Sequence, residues 1–130
     1  MTVLSAFYDL KVSPATFDIF EFLYQAEIER IHNGNDALDI FIVGNDTNNG
    51  FREENTVTKS SGDLNWRLRN IVLPAGTLLP SVRRTVHVND RDEIVNFIPK
   101  LDQIFPRGYT SKRPIASYLP SEMLVALYSG

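Results

Sequence analysis

The chain contains no cysteine among its 130 residues, which excludes disulfide bonds and thiolate metal sites. It also lacks any run of the roughly 18 apolar residues that a membrane-spanning helix requires, so no membrane span is expected. Basic residues are not in excess, and the formal net charge of −3 argues against a nucleic-acid binder. Because the N-terminus has no basic region typical of a secretory signal, we expect a cytoplasmic protein.

Several catalytic signatures are absent as well. The sequence has no G-x-G-x-x-G or G-x-x-x-x-G-K-[ST] motif for a dinucleotide or a P-loop phosphate, and no G-x-S-x-G nucleophile elbow. The two histidines, His32 and His87, are far apart and belong to no H-E-x-x-H pattern. The sequence therefore predicts no metal site and no cofactor.

The size and composition are those of one globular domain. Hydrophobic residues make up 43% of the chain and charged residues 22%, both ordinary values for a folded protein. A chain of 130 residues can bury one core and is too short for two. We expect a single α/β domain over residues 1–130.

The first part of the chain has a strand–helix–strand pattern. Residues 3–12 and 39–44 are rich in apolar side chains and predict two strands, the second buried on both faces as in a parallel sheet. Ser13 suits a helix N-cap, and Pro14 suits the first helical position. Asn33 and Gly34 supply the stop signal of the helix.

The helix between these strands has an amphipathic pattern. Its charged residues lie mostly away from one apolar face. That face consists of Phe17, Phe20, Tyr24, Ile28 and Ile31.

The second part of the chain is less regular. Residues 64–73 have helical spacing that Pro74 limits, and residues 84–89 predict a third strand. Asp90 is placed to cap a helix that ends at Pro99. The proline-rich residues 101–120 predict an ordered loop with at most one short helix, and a last helix is expected over residues 122–128.

In an open parallel sheet, ligands bind outside the carboxyl ends of the strands. The first predicted strand end carries Asp9, Lys11 and Ser13, where an anion can dock on free amides; a plain capped helix is the alternative. The third end carries Asp90 and Arg91 followed by Asp92. Paired carboxylates can perform acid–base chemistry, but here they are better explained as helix-capping residues.

The second strand end opens a polar segment, residues 45–63. Asp46, Asn48, Asn49 and the nearby Arg52 predict a loop that contacts a sugar or a nucleotide. Asn and Asp also satisfy turns locally, so a purely structural loop explains the same residues. The basic segment 105–113, with its interleaved tyrosine, is compatible with phosphate binding and is better explained as a surface loop.

The runs FYDLKVSPATFDIFEFL, DIFIVG and NWRLRNIVLP, followed by a strand ending in NDR, resemble the N-terminal portion of bacterial glycosyltransferase-like proteins from surface-polysaccharide loci. The resemblance implies a small parallel-sheet, Rossmann-like three-layer domain equivalent to the first half of a GT-B-type enzyme. It further implies acceptor or phosphate contacts, a sugar or nucleotide-sugar ligand, and no independent catalysis without a second half. Its cleft would be lined by Lys11, Ser13, Asp46, Asn48, Asn49, Arg52, Asp90 and Arg91.

A second hypothesis belongs to a different functional class. Residues 117–128 are aromatic and apolar, and an exposed patch of this kind is typical of a partner surface. The chain would then be a non-catalytic interaction domain, either a homodimer or a domain docked on a second domain.

Overall fold

The computed structural model describes residues 1–13, 15–44, 65–101 and 103–115, and these contain a four-stranded, all-parallel sheet. Its strands are β1 (Val3–Asp9), β2 (Ala37–Val43), β3 (Val82–Val88) and β4 (Gln103–Phe105). Their spatial order is β3-β2-β1-β4. The predicted α/β domain with a small parallel sheet is confirmed.

Helical segments connect the strands. Helix α1 (Asp18–Asn33) joins β1 to β2, and α2 (Asp92–Phe97) follows β3. A π-helical segment (Leu68–Val72) and a 3-10 segment (Pro74–Leu78) precede β3, and a second 3-10 segment (Ile98–Lys100) extends α2. The predicted loop over residues 45–63 and the predicted last helix lie outside the described residues.

Both faces of the central strands are apolar, and all seven residues of β2 are buried. One face packs against α1 and the π-helical segment, and the other packs against α2 and the segment after β4. Each fully buried large side chain stabilises the fold by about 1.5–3 kcal/mol. The fully buried side chains include Leu4, Tyr8, Phe22, Ile40 and Ile42 on the first face, with Phe7 and Tyr109 on the second.

The end of α1 is as predicted, whereas its start is not. Gly34 has a left-handed backbone with φ of 74°, and its amide donates to the carbonyls of Arg30 and Ile31. Ser13 does not cap the helix, which begins at Asp18. There the Thr16 hydroxyl accepts the Asp18 amide at 3.2 Å, so a threonine three residues later performs the local capping.

The apolar face of α1 that the sequence makes most obvious faces solvent. The helix instead buries Ile19, Phe22, Leu23 and Ala26 against the sheet. α1 is thus apolar on two adjoining faces, and only one of them contributes to the core. The exposed apolar stripe, as we call it below, consists of Phe17, Phe20, Tyr24, Ile28 and Ile31, which are 39–68% exposed.

Strand β4 corrects the prediction of loop over residues 101–120. It pairs with β1 through only three residues, Gln103–Phe105. Three residues are too few to show an alternating pattern in the sequence. The segment is a strand because it pairs with the otherwise free edge of β1. Its position turns β1 into an interior strand with a parallel neighbour on each side.

A close approach between the 3-10 segment and β3 gives a test of this packing. A Cβ atom added at Gly76 would lie 2.6 Å from Thr85 Oγ1 and 3.4 Å from Val82 Cγ1. Because Thr85 is β-branched and stiff, we expect Gly76→Ala to lower the free energy of unfolding by roughly 1–3 kcal/mol in urea denaturation. Thr85→Ala in the same chain should recover part of that loss. Strictly additive effects of the two substitutions would contradict the close contact.

Candidate functional site

The carboxyl ends of the parallel strands meet at one edge of the sheet, here called the carboxyl edge. Since β1 lies between β2 and β4, the chain first adds strands on one side of β1 and then crosses to the other. In open α/β sheets this reversal of strand order creates a crevice outside the carboxyl ends of the two flanking strands. The crevice expected for this fold therefore lies beside Asp9 and Phe105, the last residues of β1 and β4.

The side chain of Asp9 links three strand exits, by which we mean the carboxyl end of a strand and the residues that directly follow it. The carboxylate is fully buried, and its Oδ2 accepts a hydrogen bond from the Tyr109 hydroxyl at 2.7 Å. The same oxygen accepts from Arg91 Nη1 at 2.5 Å, and Oδ1 accepts from the Lys11 amide at 2.9 Å. Asp9 ends β1, Arg91 follows β3 and Tyr109 follows β4, so one carboxylate fastens all three exits.

The electrostatics of this cluster explain why its members are buried together. A buried carboxylate without partners would be strongly destabilising, and Arg91, 19% exposed, supplies the compensating charge. Burial raises the pKa of the Tyr109 phenol far above its usual range, and the nearby Asp9 charge raises it further. The phenol therefore stays protonated even above the pH at which tyrosine ionises in the unfolded chain, and it remains a hydrogen-bond donor to Asp9.

The turn after β1 uses its own amides. The Val12 and Ser13 amides donate to the Asp9 carbonyl at 3.1 and 2.8 Å, and Ser13 is buried. Together with the Lys11 amide on the carboxylate, no amide of residues 11–13 is left for an anion. What this turn offers to a ligand is the exposed side chain of Lys11, in place of the predicted cradle of amides.

At the exit of β3, two neighbouring residues have different roles: Asp90 caps a helix and Arg91 binds Asp9. The exposed Asp90 accepts the Asp92 amide at 3.0 Å, and its carbonyl accepts the Glu93 amide at 3.1 Å. Asp90 therefore opens α2, as the capping interpretation predicts. Arg91 turns inward to Asp9, and its Nη2 atom is buried with no hydrogen-bond partner among the described residues.

The exit of β2 is held against β3. The Gly44 amide donates to the Val88 carbonyl at 2.9 Å, and His87 Nε2 lies 2.7 Å from the Gly44 carbonyl oxygen. His87 thus has a structural partner, as expected for a half-buried strand residue.

Of the predicted site residues, Lys11, Ser13, Asp90 and Arg91 lie at the carboxyl edge. The others lie outside the described residues: Asp46, Asn48, Asn49 and Arg52.

Sequence reasoning noted Asp9 at a strand end but did not recognise that Asp9 and Tyr109 hold this edge together. Asp9 is the only acid in β1 and closes a buried apolar strand, a position where a carboxylate requires a partner. That signal was available in the sequence. Tyr109 was assigned to a surface loop, and it is fully buried. Nothing local in the segment 105–113 distinguishes it, because its partner is 100 residues away.

The part of the chain that the structure describes contains neither a cluster of metal ligands nor a membrane-spanning helix. No group of three or more metal-binding side chains comes together there. Among the same residues, no helix has both the length and the apolar character needed to cross a bilayer.

The fold and this edge together define the class of protein: a small Rossmann-like α/β domain with a polar carboxyl edge. Comparison of the chain with protein-family models, curated proteins and solved structures finds no match. The functional argument therefore depends on the chemistry of the edge itself.

The Asp9 cluster predicts unequal effects for two carboxylate-to-amide substitutions. Asp9→Asn leaves the partly buried Arg91 without its counter-charge, and we expect the free energy of unfolding to fall by roughly 3 kcal/mol. Glu29→Gln is the matched control, since its partner Arg107 is 80% exposed; its effect should stay below about 1 kcal/mol. Urea denaturation followed by circular dichroism measures both. Similar losses of unfolding free energy in the two variants would show that the contacts of Asp9 do not stabilise the fold more than a surface ion pair does.

Proposed function

We propose that this chain is a Rossmann-like half-domain that serves glycosyl transfer, contributing acceptor or phosphate contacts from the carboxyl edge of its sheet. It supplies no covalent nucleophile. As in the GT-B-type proteins that the sequence resembles, catalysis would require a second half, so this domain alone is not expected to be active. The ligand class is a sugar phosphate, a nucleotide-sugar or a glycan.

One observation carries the proposal: two cations, Lys11 and Arg91, belong to the exits of different strands at the carboxyl edge. Guanidinium and ammonium groups are the side chains best suited to phosphate oxygens. One terminal nitrogen of Arg91 donates to Asp9, and the other has no acceptor in the part of the chain that the structure describes. A phosphate at the edge would provide that acceptor after a small side-chain shift.

The polar side chains after β2 complete the proposal. Asp46, Asn48 and Asn49 follow the strand next to β1 and carry the donors and acceptors that sugar hydroxyls require. Arg52, in the same segment, adds a third cation to the proposed site after Lys11 and Arg91. We therefore assign phosphate contacts to Lys11, Arg91 and Arg52, and sugar contacts to the acid and the two amides.

Titration with glucose 1-phosphate, followed by amide chemical shifts, tests this site, with glucose as the matched ligand lacking phosphate. We expect shifts around Ser13, Asn48 and Asp90 and weaker binding of glucose. Lys11→Gln should weaken the phosphate ligand by about fivefold, the upper range for one exposed charge, while Arg83→Gln, at the opposite end of the sheet, should leave it unchanged. Responses confined to residues far from the carboxyl edge would reject the proposal.

A second candidate function, a non-catalytic interaction domain, is favoured by the exposed apolar stripe of α1. Its spacing of three and four residues is typical of helix–helix packing seams. The first turn of α1 carries Asp18 and Glu21, and its last turn carries Arg30 and His32. Two copies of α1 packed antiparallel would place acidic ends against basic ends and oppose their dipoles. The partner that this stripe fits is therefore a second copy of the chain, in a homodimer.

Sedimentation velocity distinguishes this second function. If the chain dimerises through α1, the double variant Phe17→Ser and Ile31→Ser should shift it to monomer at concentrations where the native chain is dimeric. Both side chains are more than 60% exposed, so folding should be preserved. Val95→Ser, at an exposed position on α2, is the control and should remain dimeric. A native chain that is monomeric at all concentrations would remove the candidate.

A further inference from the structure

The sheet face opposite α1 carries a depression that the proposed function does not use. It has a volume of about 310 Å³, at the lower limit of ordinary small-molecule pockets. It lies between the edge strand β3 and the segment that follows α2. Its lining consists of Phe41, Arg84, Val86, Phe97, Lys100 and Leu101.

Aromatic rings form the apolar wall of this depression. The Phe41 and Phe97 rings lie 5.4 Å apart, and Phe41 stacks on Phe7 at 4.9 Å. Phe41 is 4% exposed and is held in β2, so it forms the fixed floor of the depression, and the aromatic surface open to a ligand belongs mainly to the half-buried Phe97. Fixed aromatic surface of this kind favours a flat ring, which stacks in an offset or edge-on arrangement.

The charged part of the lining is positive. Arg84 lies over the Phe41 ring, with its guanidinium carbon 5.7 Å from the ring centroid, and its Nε donates to Asp39 at 3.0 Å. Arg83 also binds Asp39, at 3.0 and 2.6 Å, so two cations share one buried carboxylate. One positive charge is left uncompensated in this group.

Lys100 adds a second uncompensated charge at the rim. It is exposed, and no carboxylate in the described part of the chain pairs with it. Among the residues that the structure describes, none that lines the depression is acidic. The depression therefore combines an aromatic wall with an excess of positive charge and no competing anion among its lining residues.

We propose that this depression binds a small planar aromatic acid, with its ring against Phe97 above the floor that Phe41 forms, and with its anionic group between Arg84 and Lys100. The site is separate from the carboxyl edge and does not depend on the proposed function. Its specificity has two parts: the rings select a flat apolar body, and the cations select a carboxylate, sulfonate or phosphate over a neutral group.

A matched pair of probes tests the charge selection. We expect 2-naphthoate to shift the resonances of Phe41, Val86 and Phe97, and 2-naphthamide to bind at least fivefold more weakly because it has the same rings and no charge. Equal affinities of the two probes would overturn the proposal, since the depression would then be only an apolar surface. Shifts confined to the exposed apolar stripe of α1, or no binding of 2-naphthoate at millimolar concentration, would overturn it as well.

Substitutions locate the charges. Lys100→Gln should weaken 2-naphthoate by about fivefold without changing 2-naphthamide, whereas Lys112→Gln should change neither. Arg84→Gln should also weaken 2-naphthoate, and its control is Arg83→Gln, which shares Asp39 but does not line the depression. Should Arg84→Gln impair folding, Lys100→Gln and its control Lys112→Gln still test the site. Unchanged 2-naphthoate affinity in Lys100→Gln would contradict it.

Discussion

The buried carboxylate of Asp9 is the contact on which the arrangement of this domain depends, because it joins strand exits that share no backbone hydrogen bonds. β3 and β4 are the two outer strands of the sheet and never touch each other. Arg91 and Tyr109 nevertheless meet at Asp9, which fixes the exits of the outer strands relative to the end of β1. A carboxylate placed in an apolar core requires such partners, so its desolvation enforces the geometry.

The same constraint shapes the candidate site at the carboxyl edge. Because β2 lies between β3 and β1, the contact of Arg91 with Asp9 spans the end of β2 and brings a cation close to β1. Asp9 also consumes the amides of the following turn, which leaves side chains as the groups that remain for a ligand. The second buried acid, Asp39, organises the opposite part of the sheet in a related way, by gathering two arginines beside an aromatic wall. Both proposed sites thus border a buried carboxylate.

Comparison with the sequence-based predictions shows where local patterns suffice. β1, β2 and the stop at Gly34 follow from continuous apolar runs and a residue suited to a left-handed backbone, and these features are local. The buried face of α1 was not predictable in the same way. Ile19, Phe22, Leu23 and Ala26 form as regular a pattern as the exposed apolar stripe beside them. Periodicity identifies a helix with two apolar faces but does not say which face meets the sheet.

The sequence by itself determined that the chain forms an α/β domain with parallel strands, because strand and helix periodicities and the order of elements are properties of neighbouring residues. The tertiary structure alone decided that a three-residue strand completes the sheet and that Tyr109 is buried. It also decided that Arg91 binds Asp9 through one of its two terminal nitrogens. These outcomes depend on pairs separated by 82 and 100 residues, which no local pattern encodes. Only folding brings a buried charge to its partners.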